Sequence, residues 1–141
     1  MTSTTSPATQ PSDADQAGIA ALTQKVIAAW AYHDADGFAD LFTEDGTMIL
    51  AGVHRNGREE IRAFLREAYQ GRYKGTQVTG KPLGIRMLGT DAAILLTHGG
   101  VLEAGQSEVS PAAAIRASWV VVRRDGQWRL AAYQNTPANA N

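Results

Sequence analysis

The sequence predicts an α+β fold, a cone of three N-terminal helices packed on a curved, mainly antiparallel sheet. Three observations carry that expectation. Apolar residues recur at helical spacing only in the first half of the chain, up to about residue 70. Strand-like runs fill the second half. The last two of these runs are joined by Asp125-Gly126, a pair that supplies the two positive φ angles of a type I′ hairpin turn. With 141 residues the chain fits one domain, expected over 13–137. A Ser/Thr/Pro-biased tail over 1–12, read as disordered, precedes it, and a short tail over 138–141 follows.

The first helix is expected over about 15–33, opened by a capping box of Asp13 and Gln16. Its buried stripe is Ile19, Leu22, Val26, Ala29 and Trp30, widened by Ile27. A short second helix starts at Asp34 or Asp36 and buries Phe38, Leu41 and Phe42. Thr43-Glu44-Asp45-Gly46 reads as a turn and 47–53 as a strand. Asn56-Gly57 turns the chain again, with Glu59 completing a second capping box. The third helix, about 58–70, buries Ile61, Phe64, Leu65, Ala68 and Tyr69, and Gly71 and Gly75 end that segment.

The β half begins with 76–88, which Gly80, Pro82 and Gly84 mark as a bent or edge strand. Residues 92–103 form the next strand, where Gly99-Gly100 signals a bulge or sharp curvature. A loop over 104–111 leads to the closing hairpin, 112–137, with Arg123, Arg124 and Gln127 as the solvated mouth of its turn.

Composition excludes several functions. The chain has no cysteine, so disulfide and thiolate chemistry are out. Net charge is −1 and no basic cluster exceeds Arg123-Arg124, which argues against nucleic acid as a partner. No apolar run approaches the ~18 residues of a membrane span, and the N-terminus lacks the charged start and apolar core of a signal peptide. A cytoplasmic protein with no membrane partner is expected. The histidines form no HxxxH, HExxH or HxH, and neither GxGxxG nor GxSxG occurs. The expectation is therefore no metal and no cofactor. The carboxylates at Asp34, Asp36, Asp40, Glu44 and Asp45 read as caps and turns.

The segments DADGFADLFTEDGTMIL, then GREEIRAF at 57–64, then DGQWRLAAYQNT at 125–136 resemble the NTF2-like superfamily in order and spacing. The ending WRLAAYQNT is most similar to the SgcJ/EcaC branch of SnoaL-like proteins, which is associated with enediyne and related polyketide biosynthesis. The resemblance implies a homodimer built through the sheets and a pocket between helices and concave sheet face. It assigns Trp128, Leu130, Ala132 and Gln134 to the concave side. In the preceding strand it leaves open whether the concave set is Ile115, Ala117, Trp119 and Val121 or Arg116, Ser118, Val120 and Val122. At the positions of the ketosteroid-isomerase tyrosine, base and acid, this chain has Val26, Leu50 and Ser118 or Trp119, so that mechanism does not carry over.

Candidate residues follow from type and position. His98 suits proton transfer, and Arg116 and Gln134 could polarise a carbonyl. Trp30, Tyr69, Tyr73 and Trp119 are candidate substrate-binding walls, with core packing the plainer alternative for each. His54 is expected in solvent, and His33 at a helix end facing its dipole. Two functions remain open: a cofactor-free isomerase, cyclase or hydratase acting on a polyketide-type intermediate, or a noncatalytic protein that sequesters such a hydrophobic molecule.

Overall fold

The computed structural model describes residues 10–139, so most of the tail expected over 1–12, and the last two positions, lie outside the described residues. The first helix, α1 (Asp13–Ala31), is capped by Ser12, whose hydroxyl accepts the Asp15 N–H at 3.1 Å. Serine takes the cap expected of Asp13 because its extended backbone brings a short hydroxyl to the third amide of the helix, while Asp13 and Asp15 complement the dipole from within the first turn. The predicted stripe is buried. The helix stops two residues early, where His33 adopts a φ of 52°.

Asp34 caps α2 (Ala35–Ala39) by accepting the Gly37 N–H at 2.9 Å. Phe42, expected on that helix, instead begins β1 (Phe42–Leu50). The polar run expected to turn the chain lies within this strand as an irregularity, where the register slips between Phe42 and Thr47. Gly52, at φ 74°, turns β1 into β2 (Val53–Asn56), a strand the sequence did not predict. Gly57 is the N-cap of α3 (Arg58–Ala68), and the expected back-bond to the Asn56 N–H comes from Glu60 at 2.9 Å, not Glu59. Glu59 pairs with Arg62, which also bridges to Asp36 and Asp40 at 3.0 and 2.8 Å and so ties α3 to α2. These two aspartates serve docking rather than capping.

The chain then runs through β3 (Gln77–Met87), β4 (Ala92–Leu102), β5 (Ala114–Arg124) and β6 (Gln127–Pro137). The six strands form one sheet in the order β2-β1-β6-β5-β4-β3, antiparallel except where β1 meets β6. Asp125 (φ 54°) and Gly126 (φ 78°) make the predicted hairpin turn. β3 is the edge expected, with a register break between Pro82 and Gly84. Gly99 faces Gly80 across β3–β4, and a Cβ at Gly99 would overlap the Thr79 carbonyl. The pair lets the strands approach closely where the sheet bends over the helices.

Arg123 is not at a solvated mouth. It donates to the Asp15 and Asp91 carboxylates and the Thr90 carbonyl, and its guanidinium lies 5.1 Å from the Trp128 ring. This joins the N-terminal end of α1 to the hairpin and to the β3–β4 turn. Gly18 permits the contact, since a Cβ there would stand 2.5 Å from Trp128 Cδ1. Among the described residues, no helix is long and apolar enough to cross a membrane, and no group of three or more His, Asp or Glu could hold a metal ion.

Candidate functional site

Strand register decides what the cavity contains. On β5 the inward set is Ile115, Ala117, Trp119 and Val121, of which Ala117, Trp119 and Val121 are buried. On β6 the alternation is interrupted. Val121 pairs with Leu130 and Val120 with Ala132, leaving Ala131 as a bulged residue with no partner. One extra residue moves everything after it to the opposite face. Leu130 points inward as expected, but beyond the bulge the inward residues are Tyr133 and Asn135, and Gln134 pairs with Ser118 on the outer face.

The same alternation corrects two more assignments. His98 pairs with Arg116 on one side and Lys81 on the other, one position out of phase with Thr97 and Gly99, which line the cavity. His98 was the candidate for proton transfer, and Arg116 and Gln134 were the candidates for polarising a carbonyl. The structure places them on the outer face of the sheet, and none lines the cavity. There Arg116 and Gln134 border a shallow apolar depression with Ile49, Leu83 and Leu96.

The cavity between α1, the segment after α3 and the concave sheet has a volume of about 80 Å³. Three of the four expected walls line it: Trp30, Tyr73 and Trp119. Each tryptophan has its indole N–H satisfied by a buried threonine, Trp30 by Thr76 Oγ1 at 3.0 Å and Trp119 by Thr97 Oγ1 at 2.9 Å. The rings therefore present apolar faces without leaving a donor unpaired. Tyr73 lies 4.8 Å from Trp30 between ring centroids, and Phe38 and Leu130 floor the space.

Tyr69 is not part of the lining. It backs the Trp30 wall edge-on at 5.3 Å and stacks on His33 at 5.0 Å, while His33 Nε2 bonds the Thr76 carbonyl. Its hydroxyl is buried and has no partner among the described residues. Burial first, then the Asp34 charge and the neighbouring Tyr73, hold this phenol well above the ordinary range.

The polar end is Tyr133 with Asn135, whose Nδ2 donates to Tyr133 Oη at 3.0 Å. Tyr133 also meets Trp119 edge-to-face at 5.1 Å. Burial pushes its pKa up, with the Asn135 hydrogen bond working against that and Tyr73 adding to it. Neither residue was a candidate from sequence, because a bulge leaves no mark in the pattern WRLAAYQNT. Thr97 could have been found: it continues the inward alternation of Ala93 and Leu95, and a buried Trp119 needs an acceptor.

The lining includes no Asp, Glu, His, Lys or Arg. Of the residues matched above to the isomerase tyrosine, base and acid, Val26, Leu50 and Trp119 line it and Ser118 does not. Such a cavity can hold a small neutral molecule, fix an oxygen by a phenol and an amide, and exclude water. It contains no group that accepts a proton near neutral pH.

Solved structures share this architecture. A domain of unknown function with a cystatin-like fold from Nostoc punctiforme is 30% identical, with a TM-score of 0.83 over 92% of this chain and 81% of that one. An NTF2-like protein from Novosphingobium aromaticivorans (19% identity, TM-score 0.76, 91% and 84% coverage) shares the fold. So does a hexachlorocyclohexane dehydrochlorinase from Novosphingobium barchaimii (15%, 0.73, 89% and 88%). No curated protein matches the chain. Residues 13–134 match the SnoaL-like domain, and the chain belongs to that family.

Proposed function

We propose that the protein is a small-molecule binding protein that shelters a hydrophobic compound in the cavity between α1 and the sheet, without chemically converting it. The observation that carries this reading is the lining itself: two tryptophans and two tyrosines, a few hydroxyls and one amide, and no charged side chain. Ligand pockets combine apolar walls with a few placed polar groups in this way. Acid–base catalysis would need a group poised near neutral pH, and the only titratable side chains in the lining are phenols.

A polyketide-type intermediate of secondary metabolism remains the ligand class to which the SgcJ/EcaC resemblance points. The volume of about 80 Å³ is far below the roughly 300–1,000 Å³ of drug-sized sites. Such a molecule would therefore insert one ring, with the rest outside the mouth. A homodimer through the outer sheet face belongs to the same proposal. That face exposes Ile49, Leu83 and Leu96, with Val120 and Val122 half-buried beside them, a stripe that favours a second apolar surface over water.

The test is a saturation-transfer NMR screen of single-ring compounds, repeated with Ile115→Trp, which fills part of the cavity from its lining. Hits should disappear in the variant. Hits that survive it would place binding elsewhere. Proton exchange into bound ketones in deuterated water separates the two classes of function, because exchange catalysed above background would make the protein an enzyme.

A further inference from the structure

Tyr133 and Asn135 stand two residues apart on β6, both turned inward by the bulge at Ala131. The amide donates to the phenol oxygen at 3.0 Å. A phenol has one proton to give and an oxygen that accepts. With the accepting side taken by Asn135, the proton is left to donate elsewhere. Trp119 covers Tyr133 edge-to-face, and Thr97 Oγ1, an inward hydroxyl of the lining, already accepts from Trp119. No carboxylate or imidazole lines the cavity to receive the proton, and no lysine or arginine is there to balance an anion.

Resting on the binding reading above, we infer that the cavity selects a neutral molecule, about one ring in size, whose carbonyl oxygen accepts the Tyr133 phenol proton. Asn135 is a positioning residue: it orients that proton by occupying the acceptor side of the phenol oxygen. A carboxylate is disfavoured because its charge would be buried without a counter-ion. A hydrocarbon is disfavoured because it would strip water from the phenol and return nothing. The upward push that burial gives the Tyr133 pKa agrees, since a phenol kept protonated remains a donor.

The experiment uses the full chain and two probes of matched shape, acetophenone and α-methylstyrene, in which a methylene replaces the carbonyl oxygen. Affinities are read from tryptophan fluorescence, Trp30 and Trp119 both being in the walls. Acetophenone should bind roughly three- to tenfold more tightly, the worth of one hydrogen bond. Tyr133→Phe should abolish that preference by weakening acetophenone alone. The carbonyl stretch of bound acetophenone should shift to lower frequency in the wild type and lose the shift in the variant. Asn135→Ala should narrow the preference and shrink the shift while α-methylstyrene binds as before, an effect that a merely structural role would not produce. Should Tyr133→Phe fail to fold, Asn135→Ala and the wild-type stretch decide. Equal binding of both probes, or a preference that survives Tyr133→Phe, overturns the carbonyl inference and leaves the pocket standing. If neither probe binds, both fall.

Discussion

Replacing Tyr69 with phenylalanine should stabilise the protein, against the usual outcome for a buried tyrosine. Tyr69 is 6% exposed, and its hydroxyl has no hydrogen-bond partner among the described residues. Desolvating a hydroxyl without a compensating bond costs about 1–3 kcal/mol, whereas removing the oxygen leaves a gap of one small atom. The ring contacts with His33 and Trp30 persist in phenylalanine. The net expectation is a gain of about 1 kcal/mol, or a rise in Tm of about 3–4 °C for a domain of this size. Urea unfolding at neutral pH measures it. A loss of about 1 kcal/mol or more would refute the reasoning, because it would mean that the hydroxyl makes a bond worth keeping.

The alkaline limb gives a second readout. Burial and the Asp34 charge raise the folded-state pKa of Tyr69 above the ordinary phenol value of about 10. As pH rises past that value the unfolded chain loses its proton first. Stability is therefore whole below about pH 10 and declines above it. Tyr69→Phe deletes this contribution and should flatten the decline, with a residual slope from Tyr133, whose pKa is raised in the same direction.

Four further outcomes are expected. Thr97→Val keeps the shape but leaves the buried Trp119 N–H without its acceptor, and should cost about 1–3 kcal/mol in urea unfolding. Gly99→Ala drives a Cβ into the Thr79 carbonyl and should cost about 2–3 kcal/mol, with faster amide exchange along β3 as the edge strand is pushed away. Leu96→Asp puts a charge on the exposed outer face and should shift a dimer to monomer in sedimentation velocity; an unchanged dimer would place the interface elsewhere. His98→Ala and Gln134→Ala should leave acetophenone affinity within about twofold, because both side chains stand on the opposite face of the sheet from the cavity.

The legible parts of this fold are those encoded locally. The three helices announce themselves by stripes such as Ile19, Leu22, Val26 and Trp30, and the β5–β6 turn by Asp125-Gly126, so element type is right, the ends of α1 and α3 move by at most two residues, and α2 stops three residues short of Phe42. β2 was missed because four residues, Val53 to Asn56, carry no alternation, and the strand exists only by pairing with β1. The run at 43–46 looks like a turn because its residues favour turns, but its place in β1 is set by β6, more than eighty positions away. At the site, Trp30, Tyr73 and Trp119 were accessible because aromatic residues on inward faces gather around whatever space remains. Tyr69 was misplaced for the same reason: helical spacing shows that a ring is buried, not whether a second ring stands between it and the cavity.

The bulge at Ala131 is the step at which sequence and site part company, and it bears on function more than any single side chain. With unbroken alternation from Leu130, Ala132 and Gln134 would face inward and Tyr133 outward. The cavity would then have an amide and no phenol, and Trp119 would lose its edge-to-face partner. With the bulge, Leu130 stays under Val121 in the core while Tyr133 comes to lie beside Trp119 and Asn135 beside Ala117. The inserted residue thus lets one strand serve two needs: an apolar end that packs under α1, and a polar end that faces the cavity. His98 and Gln134 belong to the outer face by the same register, so transferring catalysis to them would require a slip of β4 that turns Thr97 away from the Trp119 N–H, or a slip of β6 that turns Tyr133 outward. The first would leave a buried indole N–H unpaired and the second would put an aromatic ring in water, and the bulged register avoids both.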